Sequence, residues 1–241
     1  MTPQADAGAR RPLRRLLTTD AGLTYLLISL FVLLFVLYPL SKPHTITKYL
    51  VDALAVLVMI SGAYAVSDRR RVLFWCVVAL ALVSFSLQLL PYARLDRTAL
   101  LLNNASTMLF LIAVTGAVLY RVLRSGRITV HRIQGAVAVY LMLGMIWAMA
   151  YSLVYLGDPS SFDLGRSIEG VDDLAGISTT AMSRLIYFSF VTMTTLGYGD
   201  IAPQNELADN LAVLQALTGQ IYLVVIMARL VSLAVTTRDR E

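Results

Sequence analysis

Charged residues are scarce in this sequence. Only 15% of its 241 residues are Asp, Glu, Lys or Arg, whereas a soluble globular domain carries roughly 25%. Hydrophobic residues make up 58% of the chain, and the mean hydropathy is +0.71. This composition excludes an ordinary soluble domain and indicates a membrane protein.

Cysteine and histidine are scarcer still. Cys76 is the only cysteine, so the chain can form no internal disulfide, and its place inside an apolar run is typical of a small buried hydrophobe. His44 and His131 are isolated histidines of the kind that is usually solvated. Outside the segment 194–200 there is no nucleophile–base pair, metal-ligand cluster or phosphate-binding loop, so we expect neither an enzyme nor a bound cofactor.

Long apolar runs account for this composition. A bilayer core about 30 Å thick needs roughly 20 residues of helix. Six runs approach that length: 23–40, 50–66, 72–90, 98–120, 133–156 and 207–235. Because no small-residue cleavage site precedes the first run, we expect it to be a retained helix rather than a signal peptide.

The basic residues predict the orientation of these runs. They give a net charge of +5 and are almost all arginine in the gaps between apolar runs, so they indicate topology rather than a nucleic-acid partner. The gaps richer in arginine hold Arg10, Arg11, Arg14, Arg15, Arg69, Arg70, Arg71, Arg121, Arg124, Arg127, Arg132, Arg238 and Arg240. Basic residues favour the cytoplasm. We therefore expect a multi-pass protein of the plasma membrane (the inner membrane of a bacterium) with both termini in the cytoplasm.

The segment between the fifth and sixth runs differs from the other gaps. Its first half, 157–178, is polar, and 181–193 is apolar but too short to span a bilayer. A re-entrant helix that enters and leaves on the outer side fits this pattern. We expect Ser178, Thr179 or Thr180 to cap its beginning.

The residues at 194–200, Thr-Thr-Leu-Gly-Tyr-Gly-Asp, follow this apolar stretch. A dehydrated potassium ion needs oxygen atoms in place of its water, and rings of backbone carbonyls supply them. Gly197 and Gly199 can adopt the positive φ that turns successive carbonyls toward one axis. The ion-binding filter would comprise Thr195, Leu196, Gly197, Tyr198 and Gly199. We expect K⁺ to bind at the first four of these residues.

The 194–200 sequence resembles the signature of potassium channels, and the resemblance extends over about 134–235. It implies an all-α membrane protein with six transmembrane helices, a re-entrant pore helix and a selectivity filter. Each chain has one filter segment, so four copies are needed to close the ring, and the expected partners are further copies, membrane lipids and K⁺. Cation channels of the cyclic-nucleotide type resemble this module but generally lack the Gly-Tyr-Gly core, which favours potassium over a nonselective pore.

The resemblance also implies roles for residues around the filter. Tyr187 and Phe188 are placed where the family has aromatic residues that brace the filter, and Val191 is placed where some members carry a carboxylate. Thr194 and Asp200 flank the filter, and we predict that Asp200 hydrogen-bonds Tyr187. Acidic residues predominate in the outer loop and would concentrate cations there: Asp158, Asp163, Glu169, Asp172, Asp173, Asp200, Glu206 and Asp209.

The last run is expected to line the inner pore. Residues four apart lie near one face of a helix, and a hydrophobic constriction there could gate by dewetting. The candidates are Gly219, Leu223, Met227 and Val231. Apolar residues at this spacing also pack against neighbouring helices, and Gly219 fits either a hinge, as in the family, or a close helix contact.

The first four runs resemble the sensor domain of six-span channels, but the fourth, 98–120, contains no arginine. Arg121, Arg124 and Arg127 begin where that run stops, so we interpret them as a positive-inside flank and expect weak or absent voltage gating. Voltage gating through these arginines remains the alternative, as does a nonselective cation channel. An uptake transporter would carry four filter repeats, and a non-conducting receptor would not need an intact filter. The predicted division is an N-terminal tail (1–22), a peripheral domain (23–132), a pore domain (133–235) and a C-terminal tail (236–241).

Overall fold

A computed structural model of the chain describes residues 23–37, 75, 78–83, 86, 97–123, 130–165 and 174–238. These residues are helical apart from short connections and one β pairing. The helices are α1 (Leu23–Val36), α2 (Arg97–Leu123), α3 (Val130–Gly157), α4 (Leu174–Met193) and α5 (Glu206–Arg238). The end of α1 overlaps a π-helical turn, Leu33–Leu37.

Three of these helices are long and apolar enough to cross a membrane: α2, α3 and the Glu206–Arg229 part of α5. They correspond to the predicted runs 98–120, 133–156 and 207–235, and each helix extends a few residues beyond the prediction. The first predicted run is helical from Leu23. The run 50–66 and most of 72–90 lie outside the described residues, so the number six stays a prediction.

Helices α1, α2 and α3 share one apolar core. Leu26 and Leu30 of α1, Phe110 and Val118 of α2, and Met142 of α3 are almost completely buried within it. These packing contacts attach α1 and α2 to α3 along much of its length. The predicted domain boundary between 132 and 133 lies inside α3, near its beginning, and it stays a prediction.

Two arginines bind carbonyl groups at the ends of neighbouring helices. Arg97 of α2 donates to the carbonyls of Leu156 and Gly157, where α3 ends. Arg229 of α5 donates from Nη2 to the carbonyl of Leu123, the last residue of α2, at 3.1 Å. Because the last carbonyls of a helix have no partner within the helix and carry partial negative charge, a cation there is favourable.

A two-stranded β pairing ties the segment before α4 to the segment after residue 200. Strand β1 (Phe162–Asp163) pairs antiparallel with β2 (Ala202–Pro203), and the Gln204 amide donates to the Ser161 carbonyl at 2.8 Å. A 3₁₀ turn, Pro159–Ser161, precedes β1, and Asp158 caps it. Hydrogen bonds from the hydroxyl and amide of Ser160 lower the pKa of the Asp158 carboxyl.

Candidate functional site

Helix α4 leads directly into the segment 194–200, called here the filter segment. We expected this helix to begin near 180, but it begins at Leu174. The predicted cap at Ser178, Thr179 or Thr180 is therefore wrong, because these residues lie inside the helix. The sequence held a better signal: two aspartates immediately precede Leu174, and Asp is among the residue types preferred at helix N-caps.

The last turn of α4 closes through hydrogen bonds with the first residues of the filter segment. The Thr194 amide donates to the Phe190 carbonyl at 3.0 Å, and the Leu196 amide donates to the Val191 carbonyl at 2.9 Å. The Thr194 hydroxyl also donates to the Phe190 carbonyl, at 2.6 Å. These bonds satisfy carbonyls that a helix end otherwise leaves unpaired, and they fix where the extended chain leaves the helix.

The backbone of the filter segment alternates in the sign of φ. Thr195, Gly197 and Gly199 have φ of 59°, 59° and 75°, and Leu196 and Tyr198 between them do not have positive φ. Glycine adopts this conformation at little cost, but for a β-branched residue such as Thr195 it is a rare and strained state. The Thr195 hydroxyl donates to the Thr194 carbonyl at 2.6 Å. Strain of this kind is concentrated at functional sites.

One side of the filter segment is uncovered within a single chain. All residues from Thr194 to Asp200 are exposed, and Leu196 and Tyr198 keep 55% and 66% of their surface. The segment is thus supported from one side by its own helix and is open on the other.

The carboxylate of Asp200 is held by two side chains of α4. The Tyr187 hydroxyl donates to Asp200 Oδ1 at 3.2 Å, which confirms the predicted hydrogen bond. Arg184 Nη2 lies 3.4 Å from Asp200 Oδ2, and its guanidinium lies over the Tyr187 ring, 5.5 Å from the centroid. The ring of Tyr198 stacks on Tyr187 with an interplanar angle of 8°. Sequence reasoning missed the role of Arg184, because a single arginine in an apolar helix gives no sign of its partner.

The other predicted support residues lie on the buried side of α4. Phe188 packs between Tyr151 and Phe162, with ring centroids 5.1 Å and 5.7 Å apart. Val191 is buried, and its carbonyl accepts from the amide of Leu196. Phe188 therefore anchors α4 to α3 and β1, whereas Val191 contacts the filter segment through its backbone.

The four residues predicted along α5 differ in burial, and their role in the inner pore stays a prediction. Gly219 is buried, and a Cβ there would lie 2.9 Å from the carbonyl oxygen and Cγ of Met193. Leu223, Met227 and Val231 are exposed. Four residues advance a helix by about 40° beyond one turn, so the face drifts along α5. The close approach to Met193 supports the packing interpretation of Gly219.

The comparisons with known proteins concern this part of the chain. Residues 164–236, which include α4, the filter segment and most of α5, match the family described as "Ion channel". The chain is 33% identical over 88 residues to "Two-pore potassium channel 4" of Arabidopsis thaliana, an alignment covering 36% of this chain and 30% of that protein. No solved structure matches. These matches show a likeness to ion channels over residues 164–236, and one of the similar proteins is named a potassium channel.

Proposed function

We propose that this chain is one subunit of a potassium-selective channel, in which four copies surround a single pore in the plasma membrane. The observation that carries the proposal is the alternating φ of Thr195, Gly197 and Gly199, directly after the end of α4. An alternation of left-handed and negative φ turns successive carbonyl oxygens to the same side of an extended chain. Carbonyls arranged in this way can replace the hydration shell of K⁺ without a cofactor.

The C-terminal end of α4 adds an electrostatic contribution. A helix carries roughly half a negative charge at its C-terminus, and α4 ends at Met193, immediately before the filter segment. Four such ends around a pore would stabilise a cation before it enters the filter. The acidic residues of the outer loop would raise the local cation concentration on the other side.

The exposure of the filter segment supports the tetramer. A single chain supplies one row of carbonyls, and a selective ring needs four. Leu196 and Tyr198, both more than half exposed, would be covered by neighbouring copies in such a ring. The exposed residues Leu217, Ile221 and Val224 of α5 offer further apolar surface to other copies or to lipid.

We propose weak or absent voltage gating. A voltage sensor needs several charges within the membrane field. The only basic residues of α2 are Arg97 at its first position and Arg121 in its last turn, and Arg97 is engaged with α3. Arg124 and Arg127 lie outside the described residues. The six-span topology with both termini in the cytoplasm belongs to the same proposal.

Ion flux from liposomes tests the function. Purified chain is reconstituted into vesicles loaded with K⁺, and release is followed after dilution into Na⁺ or a bulky impermeant cation. We expect K⁺ release only from preparations that size analysis shows to be tetrameric. Equal release of Na⁺ from matched vesicles would favour the nonselective alternative, and tetramers without any flux at any voltage would contradict the proposal.

The Tyr187–Asp200 hydrogen bond yields a prediction about filter stability. Replacing Tyr187→Phe removes the hydroxyl and leaves Asp200 held by Arg184 alone. Because the filter is then braced at one carboxylate oxygen instead of two, we expect potassium current to decay severalfold faster during sustained opening. Tyr25→Phe, on an exposed tyrosine of α1, is the control. Identical decay in wild type and Tyr187→Phe would refute the bracing role.

A further inference from the structure

Three fully buried polar side chains join three helices around α4. Tyr151 of α3, Ser189 of α4 and Gln215 of α5 have no exposed surface. The Tyr151 hydroxyl donates to Gln215 Oε1, while Gln215 Nε2 donates to the Ser189 carbonyl at 2.8 Å and to Ser189 Oγ at 2.7 Å. Ser189 Oγ in turn donates to the Gly144 carbonyl at 2.6 Å. Tyr151, Gln215 and Ser189 form what is called here the polar network.

The chemistry of the partners fixes the orientation of the Gln215 amide. The Ser189 carbonyl can only accept, so the nitrogen must face it, and the Tyr151 hydroxyl supplies the proton that Oε1 accepts. Both hydrogens of Nε2 then have acceptors. A fully satisfied network in an apolar surrounding is rigid and directional. It therefore fixes how far α4 is shifted along the axis of α5.

The polar network lies one helical turn from the beginning of the filter segment. Ser189 precedes Met193 by four residues, and Gly219, four residues after Gln215, packs against the Met193 carbonyl. Tyr140 of α3 donates its hydroxyl to the same carbonyl at 3.3 Å. A displacement of α4 along α5 would therefore disrupt both contacts and move the residue from which the filter segment starts.

We infer that Gln215 is a positioning residue for potassium selectivity. Its amide sets the position of α4 along the axis of α5, and thereby the position of the filter carbonyls. Apolar contacts hold two helices together but have no preferred direction, whereas hydrogen bonds depend on distance and angle. Polar contacts between membrane helices add little net stability, so specifying the position of α4 is the better account of this network. The inference rests on the proposed function.

The test compares three single variants of the full-length channel in planar bilayers, with the K⁺/Na⁺ permeability ratio and the unfolding temperature as readouts. Gln215→Leu removes both bonds to Ser189, and we expect the permeability ratio to fall about tenfold, equivalent to about 1.4 kcal/mol. Ser189→Ala keeps the bond to the carbonyl and should give a smaller fall. Tyr151→Phe leaves the α4–α5 bonds intact but leaves the buried Gln215 Oε1 unpaired, so it should lower the unfolding temperature without changing the ratio.

Each other outcome counts against the inference. A Gln215→Leu channel with a lower unfolding temperature and an unchanged ratio would show that the network only stabilises the fold. If Gln215→Leu fails to assemble, an unchanged ratio in Ser189→Ala overturns the inference, and so does an equal loss of selectivity in Tyr151→Phe. A wild type without preference for K⁺ would overturn the proposed function together with this inference, whereas a selective wild type with unaffected variants would overturn the inference alone.

Discussion

Replacing Gly197 with alanine is expected to abolish potassium current. Gly197 has φ of 59°, and a Cβ built on it meets nothing within 4 Å among the described residues, so the effect comes from the backbone rather than from a clash within the chain. The left-handed conformation costs an L-residue roughly 1–2 kcal/mol. If the costs in the four chains add, the total is roughly 4–8 kcal/mol. The fraction of channels with a conducting filter then falls about a thousandfold or more.

A matched control exists in the same chain. Gly165 has φ of 69° but lies outside the filter segment, and a Cβ there would make ordinary contacts with Arg184 Nη2 at 3.6 Å and the Asp200 carbonyl oxygen at 3.8 Å. Gly165→Ala therefore introduces similar backbone strain beside the Arg184–Asp200 pair but not in the filter segment, so we expect it to lower the unfolding temperature while potassium current persists. Single-channel recordings of both variants, with tetramer content checked, measure the difference. Full conductance in Gly197→Ala would contradict the role assigned to the alternating φ.

Replacing Gly219 with leucine is expected to displace the end of α4. The nearest neighbours of a Cβ at Gly219 are the backbone oxygen and Cγ of Met193, both at 2.9 Å. The backbone oxygen cannot move aside unless Met193 itself shifts, and Met193 adjoins the filter segment. Overpacking of this kind costs about 1–3 kcal/mol per site. We expect loss of selective current and fewer assembled tetramers, measured by bilayer recording and native mass determination.

A smaller substitution separates the packing role of Gly219 from a hinge role. Gly219→Ala should reduce current less than leucine does, and adding Met193→Ala should recover part of it, because one of the two close atoms is removed. A hinge would gain nothing from the change at Met193. Gly116→Ala is the control, since Gly116 lies in the interior of α2 and a Cβ there meets nothing within 4 Å among the described residues. Current equal to wild type in Gly219→Leu would contradict the packing account.

Much of this architecture could be predicted from the sequence, because the signals were local. The apolar runs of α2, α3 and α5 are long enough to be recognised by length and composition alone. The filter segment is recognisable by its glycine spacing, and the Tyr187–Asp200 bond was predicted from the resemblance of the surrounding residues to potassium channels. In each case the necessary residues are close together in the chain.

The features that the sequence did not predict depend on packing between distant segments. Strands β1 and β2 have two residues each, too few for any periodicity. Gln215 is one of several polar residues in an otherwise apolar run, and nothing in the run tells whether it faces lipid, the pore or a buried serine. Likewise, Arg184 and Arg229 could be recognised as charges, but their partners, Asp200 and the Leu123 carbonyl, depend on how the helices pack.

The reversal potential under bi-ionic conditions tests the central claim most directly. Purified full-length protein is placed in a bilayer with K⁺ on one side and Na⁺ on the other, and current is measured over stepped voltages. The proposed filter predicts a reversal potential near the K⁺ limit and open probability that changes little with voltage. A reversal potential near zero, recorded from a tetrameric preparation, would contradict potassium selectivity.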